Sequence, residues 1–202
     1  MKDYRNTIIK HLEKYVGSKV TITKTIKAEE YGLGFDLVVF RANIGRPYHI
    51  LSTVGLYKYK MSGQYKHIEL MCYLDKDWNL FSEDEKYTWV YYLMQQLSTA
   101  FFVSERNLEY GQVYLTEGSN TFCPATEMNS AILFYPIGLD NDMYTLKLGF
   151  GKKVNFFLVT CATYKEYSIV RRMGGLSFVQ DYLLDDGDVD NLVIFNKTDR
   201  RD

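Results

Sequence analysis

Cysteine, proline, histidine and tryptophan are all scarce in this chain. The 202 residues contain three Cys, three Pro, three His and two Trp. Cys72, Cys123 and Cys161 are odd in number, far apart and without a Cys-x-x-Cys pair, so neither a disulfide framework nor a structural zinc site is expected. His11, His49 and His67 have no second ligand at helical or zinc-finger spacing. The N-terminal stretch MKDYRNTIIKHLEKYVG lacks an apolar run long enough for a signal peptide or a membrane span. The expected compartment is the cytoplasm. An excess of one charge sign is missing as well: 24 Lys+Arg against 25 Asp+Glu leave a net charge of −1, which argues against a nucleic-acid or anionic-membrane binder. The halves differ mildly, with 14 basic and 11 acidic residues in 1–100 and 10 and 14 in 101–202.

What the chain has is aromatic residues: 12 Phe, 18 Tyr and two Trp, 16% of the total. Tyrosine suits amphipathic strands, where the ring packs and the hydroxyl stays wet, and it also suits protein contact surfaces. With 47% apolar residues and this length, a single folded domain over 1–202 is expected.

Tyr4, Ile8, Leu12 and Val16 recur every four residues and predict a first helix over 4–16, stopped by Gly17. Strand patterns follow at 19–23, 35–42, 48–54 and 65–74. The last alternates Ile68, Leu70, Cys72 and Leu74 against His67, Glu69, Met71 and Tyr73. Ser82 with Glu85 reads as a capping box opening a helix to about Phe102, with Trp89, Leu93, Leu97 and Ala100 or Phe101 facing inward. Further strands are expected near 112–115, 131–135, 144–148 and 154–161. Thr163 with Glu166 caps a helix ending at Gly174-Gly175, Ser177 with Gln180 caps another ending near Asp185, and Leu192–Phe195 forms a last strand. This order does not alternate as a doubly wound fold does. It predicts an α+β fold with a mixed, largely antiparallel sheet flanked by helices.

Nucleotide motifs fail on inspection. Gly32-Leu33-Gly34 lacks the third glycine of a dinucleotide fingerprint, and Gly151-Lys152 lacks both the earlier glycine and the following hydroxyl of a P-loop. A tight hairpin accounts for Gly149 and Gly151. The acidic run Asp181, Asp185, Asp186, Asp188, Asp190 does not match a calcium loop, because aligning Gly187 at the sixth position puts Tyr182 at the first. No Gly-x-Ser-x-Gly elbow is present, and Cys72 and Cys161 fall within strand patterns. No catalytic residue, cofactor or metal ligand is therefore assigned. A His–Glu pair built on His49 or His67 with Glu69 is the one arrangement left for a small hydrolase or transferase, since residues 67 and 69 share a strand face.

One colinear set of signals carries a resemblance. Tyr48-His49-Ile50-Leu51-Ser52-Thr53-Val54-Gly55-Leu56 is a strand ending in Thr-x-Gly-Leu. It is followed by Glu69-Leu70, by Trp78, by the long helix, by Val154-x-Phe156 leading to Glu166, by Gly174-Gly175, by Leu183-Leu184 and by Thr198-Asp199-Arg200-Arg201. This order resembles the suppressor-of-fused domain family from about residue 1 to residue 201. The family usually has Ser after Thr-x-Gly-x, where this chain has Tyr57. The resemblance implies a mixed α+β fold and action by binding proteins without catalysis. Animal members restrain transcription factors, and bacterial single-domain members act as immunity proteins against polymorphic toxins. A stand-alone chain of this length is similar to the bacterial type.

The expected partner is accordingly a cognate toxin, with no nucleic acid, membrane or cofactor. A basic nuclease domain would suit the acidic loop. The partner-binding candidates are Tyr57, Tyr59, Asp185, Asp186, Asp188 and Asp190, with Tyr65 and Tyr73 on the polar phase of their strand. A housekeeping adaptor that binds an endogenous protein is a further reading. Glu69 is expected to pair with a neighbouring loop, and Arg200 and Arg201 to meet the acidic loop or a partner.

Overall fold

The computed structural model describes residues 3–103, 107–116, 121–149, 151–184 and 189–194. Helix α1 (Arg5–Val16) buries Ile8, Leu12 and Val16 and ends where Gly17 turns left-handed. Strands β1 (Ile22–Ala28), β2 (Leu33–Phe40), β3 (Tyr48–Val54) and β4 (Ile68–Asp75) follow as an antiparallel meander. Helix α2 (Glu85–Val103) comes next, then β5 (Val113–Leu115), β6 (Met128–Phe134), β7 (Thr145–Gly149) and the long β8 (Lys152–Thr163). All eight strands form one sheet in the order β1-β2-β3-β4-β8-β6-β5, with β7 added on β8. Among the described strands β4 with β8 is the one parallel ladder, so the sheet is mixed and mostly antiparallel, as expected.

Both faces of this sheet are covered. Along β8 the alternation sends Phe157, Val159 and Cys161 to one side and Val154, Phe156 and Leu158 to the other. The first side packs under Trp89, Leu93, Leu97 and Phe101 of α2. The second packs under Ile8, Leu12 and Val16 of α1, and under Val170, Phe178, Val179 and Leu183 of the C-terminal helices. Those helices are α3 (Tyr167–Met173) and α4 (Gly175–Ser177), the latter continuing as a π-helical stretch Phe178–Leu183.

Several local expectations need correction. Ser82 does not cap α2: its hydroxyl accepts the Asp84 N–H, and the Asp84 carboxylate accepts the Lys86 N–H at the helix start. Ser177 caps nothing, because it lies inside a helical run that begins at Gly175. The Thr163–Glu166 box does form, with Glu166 Oε2 accepting the Thr163 N–H at 2.8 Å and Thr163 Oγ1 accepting the Glu166 N–H at 3.3 Å. Of the expected last strand, the described residues show one parallel bridge, Leu74 with Ile194, after a 3-10 turn Val189–Leu192, and Phe195 lies outside them. The β7–β8 hairpin is made as expected by Gly149 (φ +85°) and Gly151 (φ +75°).

Candidate functional site

The Thr-x-Gly-Leu and Glu-Leu pieces are two halves of one buried network. Thr53 at the end of β3 faces Glu69 near the start of β4, and Glu69 is 0% exposed. The Leu70 N–H donates to Thr53 Oγ1 at 2.8 Å, and that hydroxyl donates to Glu69 Oε2 at 2.5 Å. The same carboxylate accepts the N–H groups of Gly55 (2.8 Å), Leu56 (3.3 Å) and Tyr57 (3.2 Å). These are the donors that the 3-10 turn Leu56–Lys58 leaves open at its start. Gly55 is required here twice over, by its φ of +121° and by Phe35 Cα lying 3.3 Å from where a Cβ would sit. Complete burial pushes the Glu69 carboxyl up to about 7, against the pull of its four hydrogen bonds.

His67 holds the other side of the same residue: its Nδ1 lies 2.8 Å from Tyr57 O, which makes Nδ1 the donor, since a carbonyl only accepts. Glu69 and His67 therefore grip the N–H and C=O of Tyr57 respectively. They fix a turn and are not arranged to pass a proton between them. His49 is likewise committed. Its Nδ1 accepts the Ala42 N–H at 2.8 Å and Nε2 donates to Lys76 O at 3.0 Å, while burial lowers its pKa. All three cysteines are buried, and burial raises the thiol pKa values of Cys72 and Cys123. Among the described residues no group of three or more His, Cys, Asp or Glu is placed to hold a metal ion. No helix among them is long and apolar enough to cross a membrane.

The expected contact tyrosines lie elsewhere than on an open surface. Tyr57 is 2% exposed. Its hydroxyl accepts the Tyr4 N–H at 2.7 Å and donates to Asp3 Oδ1 at 3.0 Å, tying the start of α1 to the sheet. A serine at this position would be too short for that reach. Tyr59 is half-buried, its ring against Phe102 at 5.7 Å and its hydroxyl accepting the Gly34 N–H at 2.6 Å. Tyr73 is buried, donating to Ile137 O, and Tyr65 packs edge-on against Tyr110 and Phe157. The physical reason is that β4 is buried on both faces, so its second phase is a core phase and not a wet one. Asp185, Asp186 and Asp188, with Arg200 and Arg201, lie outside the described residues. Asp190 is exposed on the Val189–Leu192 turn.

An open aromatic surface lies along α2, while Phe81 and Tyr164 are exposed elsewhere. A groove of about 680 Å³ runs between the outer face of this helix and the β1–β2 turn, lined by Glu30, Tyr31, Tyr92, Gln96, Thr99 and Val103 among others. Tyr92 is 62% exposed, Val103 54% and Tyr31 40%. Glu30 and Tyr31 belong to the turn that follows β1, and the outer edge of β1 pairs with no other described strand. Spacing carries a trace of it: Tyr92, Gln96, Thr99 and Val103 fall at i, i+4, i+7 and i+11, a second stripe beside the buried one.

The family model described as "Suppressor of fused protein (SUFU)" matches residues 33–193. No curated protein sequence matches the chain. Among solved structures, one of the Sufu–Fu complex superposes with a TM-score of 0.67 at 14% identity, covering 98% of this chain and 91% of that one. A putative SUFU homolog from Neisseria gonorrhoeae FA 1090 gives 0.64 at 12% identity, covering 97% and 98%. Drosophila Suppressor of Fused gives 0.67 at 15%, covering 98% of this chain and 51% of that one. With the family model spanning most of the chain and the sheet and helices matching these folds, this protein belongs to the suppressor of fused family.

Proposed function

We propose that this chain is a protein-binding domain that works without catalysis and captures an extended segment of a partner protein along β1 and the α2 groove. One observation carries the reading: Tyr31, Tyr92 and Val103 stand exposed on an open groove at the β1–β2 turn, and the edge of β1 pairs with no other described strand. A sheet edge offers unpaired backbone groups to an added strand, and the adjacent groove takes its side chains. Tyrosine is among the residues that dominate such contacts. The structural relative solved as a Sufu–Fu complex supports the reading, because that protein is seen with a protein partner. The groups that might have served catalysis, Glu69, His67 and His49, are committed to holding backbone.

Within this reading the chain acts as an immunity protein that masks the working surface of a cognate toxin. Co-expression with the toxin encoded by the adjacent reading frame is expected to restore growth and yield a co-purifying complex. Tyr92→Ala is expected to weaken that complex by about tenfold or more while the fold is unchanged. A complex with an endogenous protein and no rescue by any genomic neighbour would favour the adaptor reading instead. Absence of any protein complex would overturn both.

A further inference from the structure

A second cleft, at the entry to β4 and the β7–β8 turn, has a different chemistry. It measures about 510 Å³. Gln64, Lys66, His67, Lys152, Lys153 and Asn155 line it, and no acidic residue does. Lys66, Lys152 and Lys153 are exposed, and among the described residues none of them forms an ion pair.

Strand register adds a fourth lysine. Lys147 of β7 stands directly opposite Lys153 of β8. Cross-strand neighbours share a face with their Cβ atoms about 5 Å apart, where two like charges repel. Ile68 of β4 stands opposite Asn155 of β8, and Lys66 and Lys153 each precede that pair by two residues. Lys66, two residues ahead of β4, Lys153 of β8 and Lys147 of β7 thus line up at one end of the sheet, at about 4.8 Å per step. Lysines on an edge strand discourage edge-to-edge aggregation, which would account for Lys147. It does not account for Lys152 and Lys153, which belong to β8 and face β7, or for Lys66, which precedes β4, since none of these lies on an outermost strand.

We propose that this lysine row is a binding site for an acidic, extended segment of a partner polypeptide, distinct from the α2 groove. Two features favour that ligand over other anions. The charges spread across about 10 Å, wider than one phosphate group bridges but within the span of an extended chain that carries several carboxylates and rises about 3.3 Å per residue. All four groups are lysine ammoniums, point charges without the fork that makes arginine the residue for bidentate phosphate recognition. Asn155 and Gln64 add amide donors between the charges.

The test uses the full chain and a short fluorescein-labelled peptide of alternating Asp and Thr, beside the same peptide with Asn for Asp. Fluorescence anisotropy is expected to show binding of the Asp peptide that weakens steeply with added salt, and little binding of the Asn peptide. The triple variant K66Q/K147Q/K153Q is expected to lose about tenfold in affinity with its thermal melt unchanged. Tyr92→Ala is expected to leave peptide binding intact, which separates failure here from failure of the α2 reading. Amide shift mapping on the unmodified chain gives a second measurement, with changes expected at 64–67 and 151–155. Equal binding of the two peptides, an unaffected triple variant, or shifts elsewhere would overturn the site. Binding of tripolyphosphate or oligodeoxythymidine in place of the Asp peptide would overturn the assignment to a polypeptide.

Discussion

One face of the sheet lies under a single long helix, and the other lies under α1 together with α3, α4 and the π-helical stretch. On the second face the tyrosines are used up by the fold: Tyr57 holds Asp3 and Tyr4, Tyr73 donates to Ile137 O, and Tyr48 stacks on Tyr73 at 4.7 Å. On the first, one helix covers the centre and leaves its own outer flank bare, so Tyr92 and Tyr31 stay open. The difference is one of coverage and not of residue type. Equal tyrosines become structural struts or contact surface according to how many layers lie above them.

The sharpest way to break this contrast is Glu69→Ala on the strut side. It strands three backbone N–H groups and the Thr53 hydroxyl in a buried site, and is expected to cost about 3–5 kcal/mol in chemical denaturation. A smaller effect separates the charge of Glu69 from its geometry. Its folded pKa, about 7, lies above its ordinary value of 4.5, so the folded state holds the proton more tightly than the unfolded one. The stability this contributes is fully present below about 4.5 and is lost as pH rises through about 7. The histidines His11 and His49, whose pKa values burial lowers, work in the opposite sense near neutral pH. The stability difference between the native chain and Glu69→Gln is therefore the quantity to follow. It is expected to shift against the native chain between pH 4.5 and 7, and a flat difference would contradict the raised pKa.

Tyr57→Phe keeps the ring in the core and removes the tether to α1. About 1 kcal/mol of stability is expected to go, with faster amide exchange in the first turn of α1. Tyr92→Ala should move the melt least, within about 0.5 kcal/mol, while weakening partner capture. If Tyr92→Ala instead destabilised the fold as much as Tyr57→Phe, the division between strut and contact surface would fail.

Much of the architecture was legible along the chain. Helix α1 and its Gly17 stop, the inner face of α2, the Thr163–Glu166 box and the glycine hairpin each depend on spacing within a few residues. The α+β class and the family resemblance rested on the order of such pieces. Ser82 and Ser177 misled because a capping pattern states that a hydroxyl could cap, while the helix start is chosen by competition with Asp84 in one case and Gly174 in the other. The site was far less legible. Glu69 was expected to hold a neighbouring loop, but its partners at Gly55, Leu56 and Tyr57 become visible only when β3 and β4 pair.

Sequence by itself determined the local periods, the turn glycines, the near-neutral charge and the presence of a Thr-x-Gly-Leu and Glu-Leu pair. Those follow from side-chain size, backbone freedom and short-range hydrogen bonding. Tertiary structure alone decided which phase of each strand stays wet, because a strand's second face is polar only if no further layer covers it. Here α1 and the C-terminal helices cover it, so Tyr73 went inside, and Tyr57 on the turn after β3 packs under the same layer. Register alone decided that Lys147 of β7 and Lys153 of β8 stand opposite each other, with Lys66 just ahead of β4 at the same end of the sheet.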